Sequence, residues 1–560
     1  MILAGDRLDL TMQDLEDALE QVRPKLTDKE YGLFKAIVST VAHLVTLLER
    51  KRTTIARLRG WLFGATTEKT KRVLERIGQR PESPSAEGET PGGSPPVGTG
   101  RKRRQVPGHG RHGAAAYTGA ERVSVPHAHL NPGDRCPDCP KGRVYKEQQP
   151  GVAIRLVGQA PVGATVAELD KRRCNACGQV FTATPSADFG SEKYDATAVS
   201  MVALCKYGHG MPFYRQAQLQ ASVGIPLPAS TQWRLVEAAA KQLQPAMNAL
   251  TEAAAQGTVL HNDDTTMRVL TLQAKAQTNG PDASGDPARE VEAPDLSPDR
   301  TGVFTSGIVA TGDGHRVALF FTGRRHAGEN LATVLAHRVE GLAPPIQMCD
   351  ALSRNVPKAF AGIVANCLNH ARRNVVDVAP DFPTECRFVL ETLKDVYRYD
   401  ELARQAQMSP DERLRFHQSH SGPLMTKLHD WLTTQLDDRL IEPNSGLGDA
   451  ITYFMTHWAK LTRFLEVAGA PLHNNICERA LKRAILHRKN ALFYKTSNGA
   501  RVGDLFMSLI HTCDLNRVNA FDYLTALQRH ADAVARSPAS WLPWTYRPTR
   551  QQLRASSSAA

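Results

Sequence analysis

The chain has 560 residues, 41% of them apolar, and its 69 Lys and Arg outnumber 57 Asp and Glu to give a formal charge of +12. That length supports several domains of ~100 to 200 residues with real cores, and the charge favours nucleic acid over an acidic small molecule as partner. Ten cysteines exclude a disulfide scaffold, and the absence of a basic start with an apolar h-region excludes a secretory signal, so a soluble, cytoplasmic protein without membrane contact is expected.

Residues 1–80 read as a helical or coiled-coil segment. Phe34, Ile37, Val41, Leu44, Leu48, Ile55, Leu58 and Leu62 recur in steps of three and four, broken by Lys51. Self-association into a homo-oligomer and packing on the segment's own domain both fit this stripe. Residues 81–116 read as a disordered basic linker, with "PESPSAEGETPGGSPPVGTG" followed by the cluster Arg101 to Arg104. Within 117–186, Cys136-x2-Cys139 and Cys174-x2-Cys177 have the paired spacing that gives a structural zinc four thiolates.

Residues 187–256 read as helices with a helix-turn-helix shape. A break falls at Pro226 and Pro228, and Ser230 is the expected N-cap of the last helix. A plain helical hairpin has the same pattern.

From 257 to 366 short apolar runs alternate with turns. "GTVLHNDDTTMRVL" contains Asp263 and Asp264, whose side chains a strand sends to opposite faces. Two more strands follow an acidic loop of about 271–300, then a helix, then "PPIQMCDALS", a strand that ends at Asp350, and a last apolar strand before "CLNHARR". Three strands, a helix and a strand ending in an acid predict a ribonuclease H-like core, in which the first and fourth strands bring two aspartates together. Residues 367–470 read as a helical insertion, 471–515 as the core helix bearing Glu478, and 516–560 as a C-terminal segment.

Glu478 stands in "LHNNICERALKRAILHRKNALF" among Arg479, Lys482, Arg483, Arg488 and Lys489. Asn475 and Glu478 have capping-box spacing, which is one role for the acid. The other is metal binding: three carboxylates close together repel unless a cation lies between them, and hard oxygen ligands favour magnesium or manganese. The five basic residues are candidate phosphate contacts, as are Arg372 and Arg373.

Several stretches in the same order carry a resemblance: "LRGWLFGATTEK", the double Cys-x-x-Cys, "KYGHGMPFYRQ", His261-x-Asp263-Asp264-Thr265, "CLNHARR", "NNICERALKRAILHRKNALF", "FDYLTAL" and "WLPWTY". Together they resemble the transposases of the insertion-sequence 66 (IS 66) family over nearly the whole chain. The resemblance implies that Asp263, Asp350 and Glu478 form a DDE triad holding two magnesium or manganese ions. It further implies a DNA transposase that binds element ends and cleaves and transfers strands, with accessory proteins of the same element as further candidate partners and a nucleoid-associated site of action. Asp264 and Thr266 depart from the family's usual Glu and Pro, and 271–300 looks like an insertion. Cys367-x2-His370 is similar to a signature of several transposase families, which implies an orienting or DNA-positioning role. Two rivals stay open: a catalytically inactive end-binding protein or repressor, and a structure-selective nuclease with the same core.

Overall fold

The computed structural model describes residues 19–27, 31–32, 34–35, 73, 130–137, 142–145, 160–173, 180–186, 189–190, 192–274, 300–358, 360 and 362–558. Contacts divide the chain into two units, Met1–Pro81 with Val162–Ala560, and Glu82–Pro161. Of the N-terminal apolar stripe only Phe34 is described, helical and exposed. The 81–116 linker and most of the 271–300 loop lie outside the described residues.

In the smaller unit Cys136 sits in a short hairpin. Its N–H donates to Gly142 O at 2.9 Å beside the Arg135–Arg143 bridge, and Gly133, with φ at 102°, lies in the turn just before that bridge. In the larger unit β1 (Lys171–Arg173) pairs antiparallel with β2 (Val180–Thr182) on either side of the second cysteine pair. Cys139, Cys174 and Cys177 themselves lie outside the described residues.

Three helices lead into the sheet: α1 (Ala196–Ala203), which continues as a wider turn over Leu204–Gly208, α2 (Phe213–Ser222) and α3 (Ala229–Ala255). Ser230 is not the cap of α3. Pro228 holds the extended capping position at φ −57° and ψ 146°, two residues earlier than the side-chain chemistry suggested, because proline presets that backbone and has no N–H to satisfy. Buried Gln232 locks the α2–α3 turn by donating Nε2 to Leu227 O (2.8 Å) and Phe213 O (3.2 Å).

The central sheet has five strands: β3 (Val259–Thr266), β4 (Phe304–Gly312), β5 (His315–Gly323), β6 (Ile346–Cys349) and β7 (Ile363–Asn366). Their order is β5-β4-β3-β6-β7, with β4 antiparallel to β3 and β5, and β6 parallel to β3 and β7. The β4–β5 hairpin turns on Asp313 and Gly314, both at positive φ, the Asp-Gly pair that a two-residue turn with matching twist requires. A short helix, α4 (Leu270–Ala274), follows β3, and α5 (Ala327–Leu335) crosses from β5 towards β6. The chain is thus mixed α/β, with a mixed sheet and many helices.

Alternation along β3 divides the interior. Leu260 joins Ile308, Phe320, Leu243 and Phe506 in one core, while Val259 joins Met348 and the helices after β7 in another. Those helices are α6 (Leu368–Val378), α7 (Pro383–Gln405), α8 (Pro410–His420), α9 (Gly422–Asp437) and α10 (Gly446–Leu461), an all-helical stretch between β7 and the next core helix. The remaining elements are α11 (Asn475–Ala491), α12 (Ser497–Leu515), α13 (Ala520–Arg529), α14 (Ala531–Arg536) and α15 (Tyr546–Ser558).

α12 closes the free edge of β5 with side chains. Asp504, Ser508, Thr512 and Asn516, spaced every four residues, accept from the N–H groups of Thr322 (2.6 Å), Phe320 (3.0 Å), Ala318 (3.0 Å) and Arg316 (3.1 Å). Asn516 also donates to Arg316 O at 2.6 Å. A sheet edge that would otherwise offer unpaired backbone groups is satisfied by one helix face.

Candidate active site

The site is assembled from β3, the end of β6 and the start of α11. The two adjacent acids of β3 have opposite fates. Asp264, with a side chain 2% exposed, accepts from Ser306 Oγ (2.7 Å) and Ala327 N (3.1 Å) and contacts His326 Nδ1 at 3.0 Å. It therefore ties β4 and the first turn of α5 to β3. Asp263 points the other way, and its Oδ1 is met by the N–H of Asp264 at 2.8 Å.

β6 runs parallel to β3 with His261 opposite Met348, so two residues further on Asp263 and Asp350 come level on neighbouring strands. Asp350 Oδ1 accepts from Asn355 Nδ2 and from Leu352 N (3.3 Å). Asn355 is itself pinned, since its carbonyl accepts from Asn262 Nδ2 and Gln347 Nε2, both at 2.7 Å. The loop after Asp350 is thereby fixed to the buried face of β3.

α11 is held against the sheet by Asn474, which is fully buried. Its Nδ2 donates to Asn262 O (3.0 Å), its Oδ1 meets His261 Nδ1 (3.2 Å), and its N–H donates to Cys367 Sγ (3.2 Å). One turn on, Cys477 Sγ donates to Gly307 O at 3.2 Å. Gly307 pairs with Asp263 across the sheet, and a Cβ there would lie 2.9 Å from Leu481, so glycine is what allows α11 this close.

Glu478 does not close a capping box. The helix begins at Asn475 with Asn474 as its cap, one residue earlier than that spacing requires, and no side chain caps it. Instead Glu478 Oε1 is buried without a hydrogen-bond partner among the described residues, as is His370 Nδ1. His370 Nε2 stands 4.0 Å from Glu478 Oε1, and Cys367, His370 and Glu478 offer ligand atoms all within 4.8 Å of one another. Burial pushes the Cys367 thiol up to about 11, so it stays neutral near pH 7.

The electrostatics of Asp263 register the convergence. Burial, then the charge of Asp350, with Glu478 and Asp264 adding to it, push its carboxyl up to about 7 against an ordinary 3.8, although the Asp264 N–H works in the opposite direction. The like charges of Asp350 and Glu478 acting on Asp263, together with the orphaned Glu478 oxygen, are what a hard divalent cation would offset.

The expected phosphate contacts separate into two groups. Arg483 is engaged internally by His511 Nδ1 (2.9 Å), Gly208 O (2.9 Å) and Asp514, and Arg488 by Thr265 Oγ1 (3.2 Å), Thr266 Oγ1 (2.6 Å) and the Thr266 carbonyl. Arg372 is buried and Arg373 half-buried on α6. Arg479, Lys482 and Lys489 are exposed on α11. Charge type alone could not separate these groups. Nor did any sequence signal mark Asn474 or Asn355 beyond their closeness to the acids.

The family model described as "Transposase IS66 family" matches residues 192–281 and 307–502, which include all three acids and leave out most of the stretch between β3 and β4. The chain belongs to the IS66 transposase family. Among this family member's relatives in Sinorhizobium fredii (strain NBRC 101917 / NGR234), uncharacterized protein y4hP is 26% identical over 412 residues, 67% of this chain and 66% of that protein. Uncharacterized protein y4jD is 26% identical over 392 residues, 67% of this chain and 71% of its own length, and uncharacterized protein y4qI is 24% identical over 362 residues, 62% of each. The chain thus spans about two thirds of the length of these curated relatives. No solved structure matches it significantly. Among the described residues no helix is long and apolar enough to cross a membrane.

Proposed function

We propose that this family member is a DDE transposase that binds the ends of its mobile element, hydrolyses a phosphodiester to free a 3′-hydroxyl and joins that hydroxyl to target DNA. The observation that supports the reading is electrostatic: after burial, the charges of Asp350 and Glu478 help drive Asp263 up to about 7. The strand order and the parallel pairing of β3 with β6 support a ribonuclease H-like core.

In this reading Asp263, Asp350 and Glu478 would hold two magnesium or manganese ions, which would supply polarisation of the scissile phosphate and a lowered pKa for the attacking hydroxyl. Asn355 orients Asp350, and Asn474 sets where Glu478 stands by fixing the first turn of α11 to β3. Exposed Arg479, Lys482 and Lys489 hold backbone phosphates beside the cut. His370, 4.0 Å from Glu478, limits the rotamers open to that carboxylate. The α1–α3 region is a candidate end-reading module, and the two Cys-x2-Cys pairs are, by their spacing in the sequence, candidate ligands of one structural zinc. Two copies acting on two ends is the expected assembly.

The test is a strand-transfer assay on DNA carrying the element's own ends, with magnesium. Cleavage followed by joining supports the reading. Cleavage without joining makes the protein a nuclease, and binding without either makes it an end-binding protein.

A further inference from the structure

Helix α11 ends in an unusual turn. Leu492 N–H closes the last helical turn on Arg488 O at 3.0 Å, and Leu492 then adopts φ 68° and ψ −43° while Phe493 N–H donates back to Ala491 O at 2.8 Å. This is a γ-turn with positive φ, a conformation that a branched L side chain rarely adopts and that glycine adopts without strain. Strain of this kind persists where the surroundings enforce it, and it gathers at functional positions.

The turn displays two apolar side chains and anchors them on both sides. Leu492 is 61% exposed and Phe493 38%, whereas Tyr494 is buried. Tyr494 N donates to Arg268 O at 2.9 Å and Tyr494 O accepts from Leu270 N at 3.0 Å, so the segment after the tip is stitched to the chain leaving β3. Arg488 grips the same stretch at Thr265 and Thr266. A pair of exposed apolar groups held this firmly is preorganised for contact.

Charge decides what the contact is. Lys489, Lys495 and Arg268 are exposed around the tip, and Arg479 and Lys482 continue the cationic face of α11 back to Glu478. An apolar point ringed by cations matches a polyanion with stackable bases in its interior. From Glu478 to Leu492 the helix rises about 21 Å, which corresponds to about six base pairs at 3.4 Å per step.

We propose that Leu492 and Phe493 form a wedge that enters a base step of the end DNA about six base pairs from the cut, unstacking it so that the duplex bends onto α11. The proposal rests on the DNA-cleaving reading above. Its function would be to fix the register of the duplex on the helix that carries Glu478.

The test uses the full chain and duplexes carrying the element's ends, with 2-aminopurine scanned through successive positions on both sides of the cut. With wild type, fluorescence should rise several-fold at one step near the sixth base pair. In Leu492→Ala/Phe493→Ala it should return to the free-duplex level, with end binding roughly tenfold weaker and the melting temperature unchanged. Leu492→Gly keeps the turn and should lose part of the signal, while Phe493→Trp should keep it. If wild type binds and cleaves but no position brightens, or if Leu492→Gly and the double variant brighten like wild type, the wedge is overturned and the DNA reading stands. Light scattering that shows the double variant dissociating while brightening persists would assign the tip to a contact between copies and also overturn the wedge. A wild type that neither binds nor cleaves this DNA overturns both.

Discussion

Two successive helices, α11 and α12, each carry a carboxylate against the same sheet, and they treat it in opposite ways. Asp504 on α12 has both oxygens occupied, by Thr322 N at 2.6 Å and Thr322 Oγ1 at 2.7 Å. Glu478 on α11 has a buried oxygen with no partner among the described residues, and its charge presses on Asp263. The same contrast repeats within β3, where Asp264 is satisfied by three groups and Asp263 faces Asp350. Carboxylates that serve architecture are supplied with donors. A buried carboxylate oxygen without a donor, as on Glu478, and a carboxyl pressed by like charge, as on Asp263, are the pattern of a functional position rather than an architectural one.

The sharpest way to break this contrast is to neutralise the crowded side. Asp350→Asn keeps shape and its contact with Asn355, so folding should survive, while losing a ligand charge should slow cleavage of end DNA by roughly a thousandfold or more. Single-turnover cleavage with magnesium, alongside circular dichroism, checks it. Near-normal cleavage would remove Asp350 from the site.

On the satisfied side, Asp504→Leu should cost about 2 to 4 kcal/mol, because the Thr322 N–H and hydroxyl lose their acceptor inside the protein. Asp504→Asn should cost much less, since an amide still offers one acceptor and a donor that the Thr322 hydroxyl can accept. Urea unfolding monitored by circular dichroism measures both. Equal effects would mean that the spine along β5 does not depend on hydrogen bonding.

A smaller effect lies in pH. Asp263 and Asp504 are both pushed up to about 7 from an ordinary 3.8, Asp263 by burial and neighbouring charge, Asp504 by burial against the pull of Thr322. Between those values the folded, metal-free chain holds protons that the unfolded chain has released. Stability contributed by each protonated acid is therefore lost as pH rises from about 4 towards 7. Magnesium should cancel the part of this slope due to Asp263 and leave the part due to Asp504. Asp263→Asn in chelator should remove the same part. Melting temperatures across that range, with magnesium or chelator, would show whether the two acids separate.

Much of the sheet and of the candidate site was legible in the sequence. Apolar runs bounded by glycine and proline marked the strands, "PPIQMCDALS" placed Asp350 just past β6, and helical periodicity marked the stretch between β7 and α11. What escaped depended on contacts distant in the chain. Arg483 and Arg488 look like their exposed neighbours Arg479 and Lys489 until Gly208, Asp514 and Thr266 are brought beside them. Asn474 carries no marker in the sequence, and only the fold reveals that it joins β3, α11 and Cys367. The spine of Asp504, Ser508, Thr512 and Asn516 did leave a signal, polar residues every fourth position in an otherwise apolar helix, which identifies the face that meets a sheet edge.

The most direct measurement of the central claim is Glu478→Gln, tested for cleavage and for binding on the same labelled element ends. The variant keeps the length of the side chain and removes only its charge. If the unpartnered carboxylate is there to hold a cation, cleavage and strand transfer should fall roughly a thousandfold or more while end binding stays equal or tightens slightly, since one acid beside the phosphates is gone. Cleavage at the wild-type rate would contradict the account and leave Glu478 as a helix residue without a catalytic role.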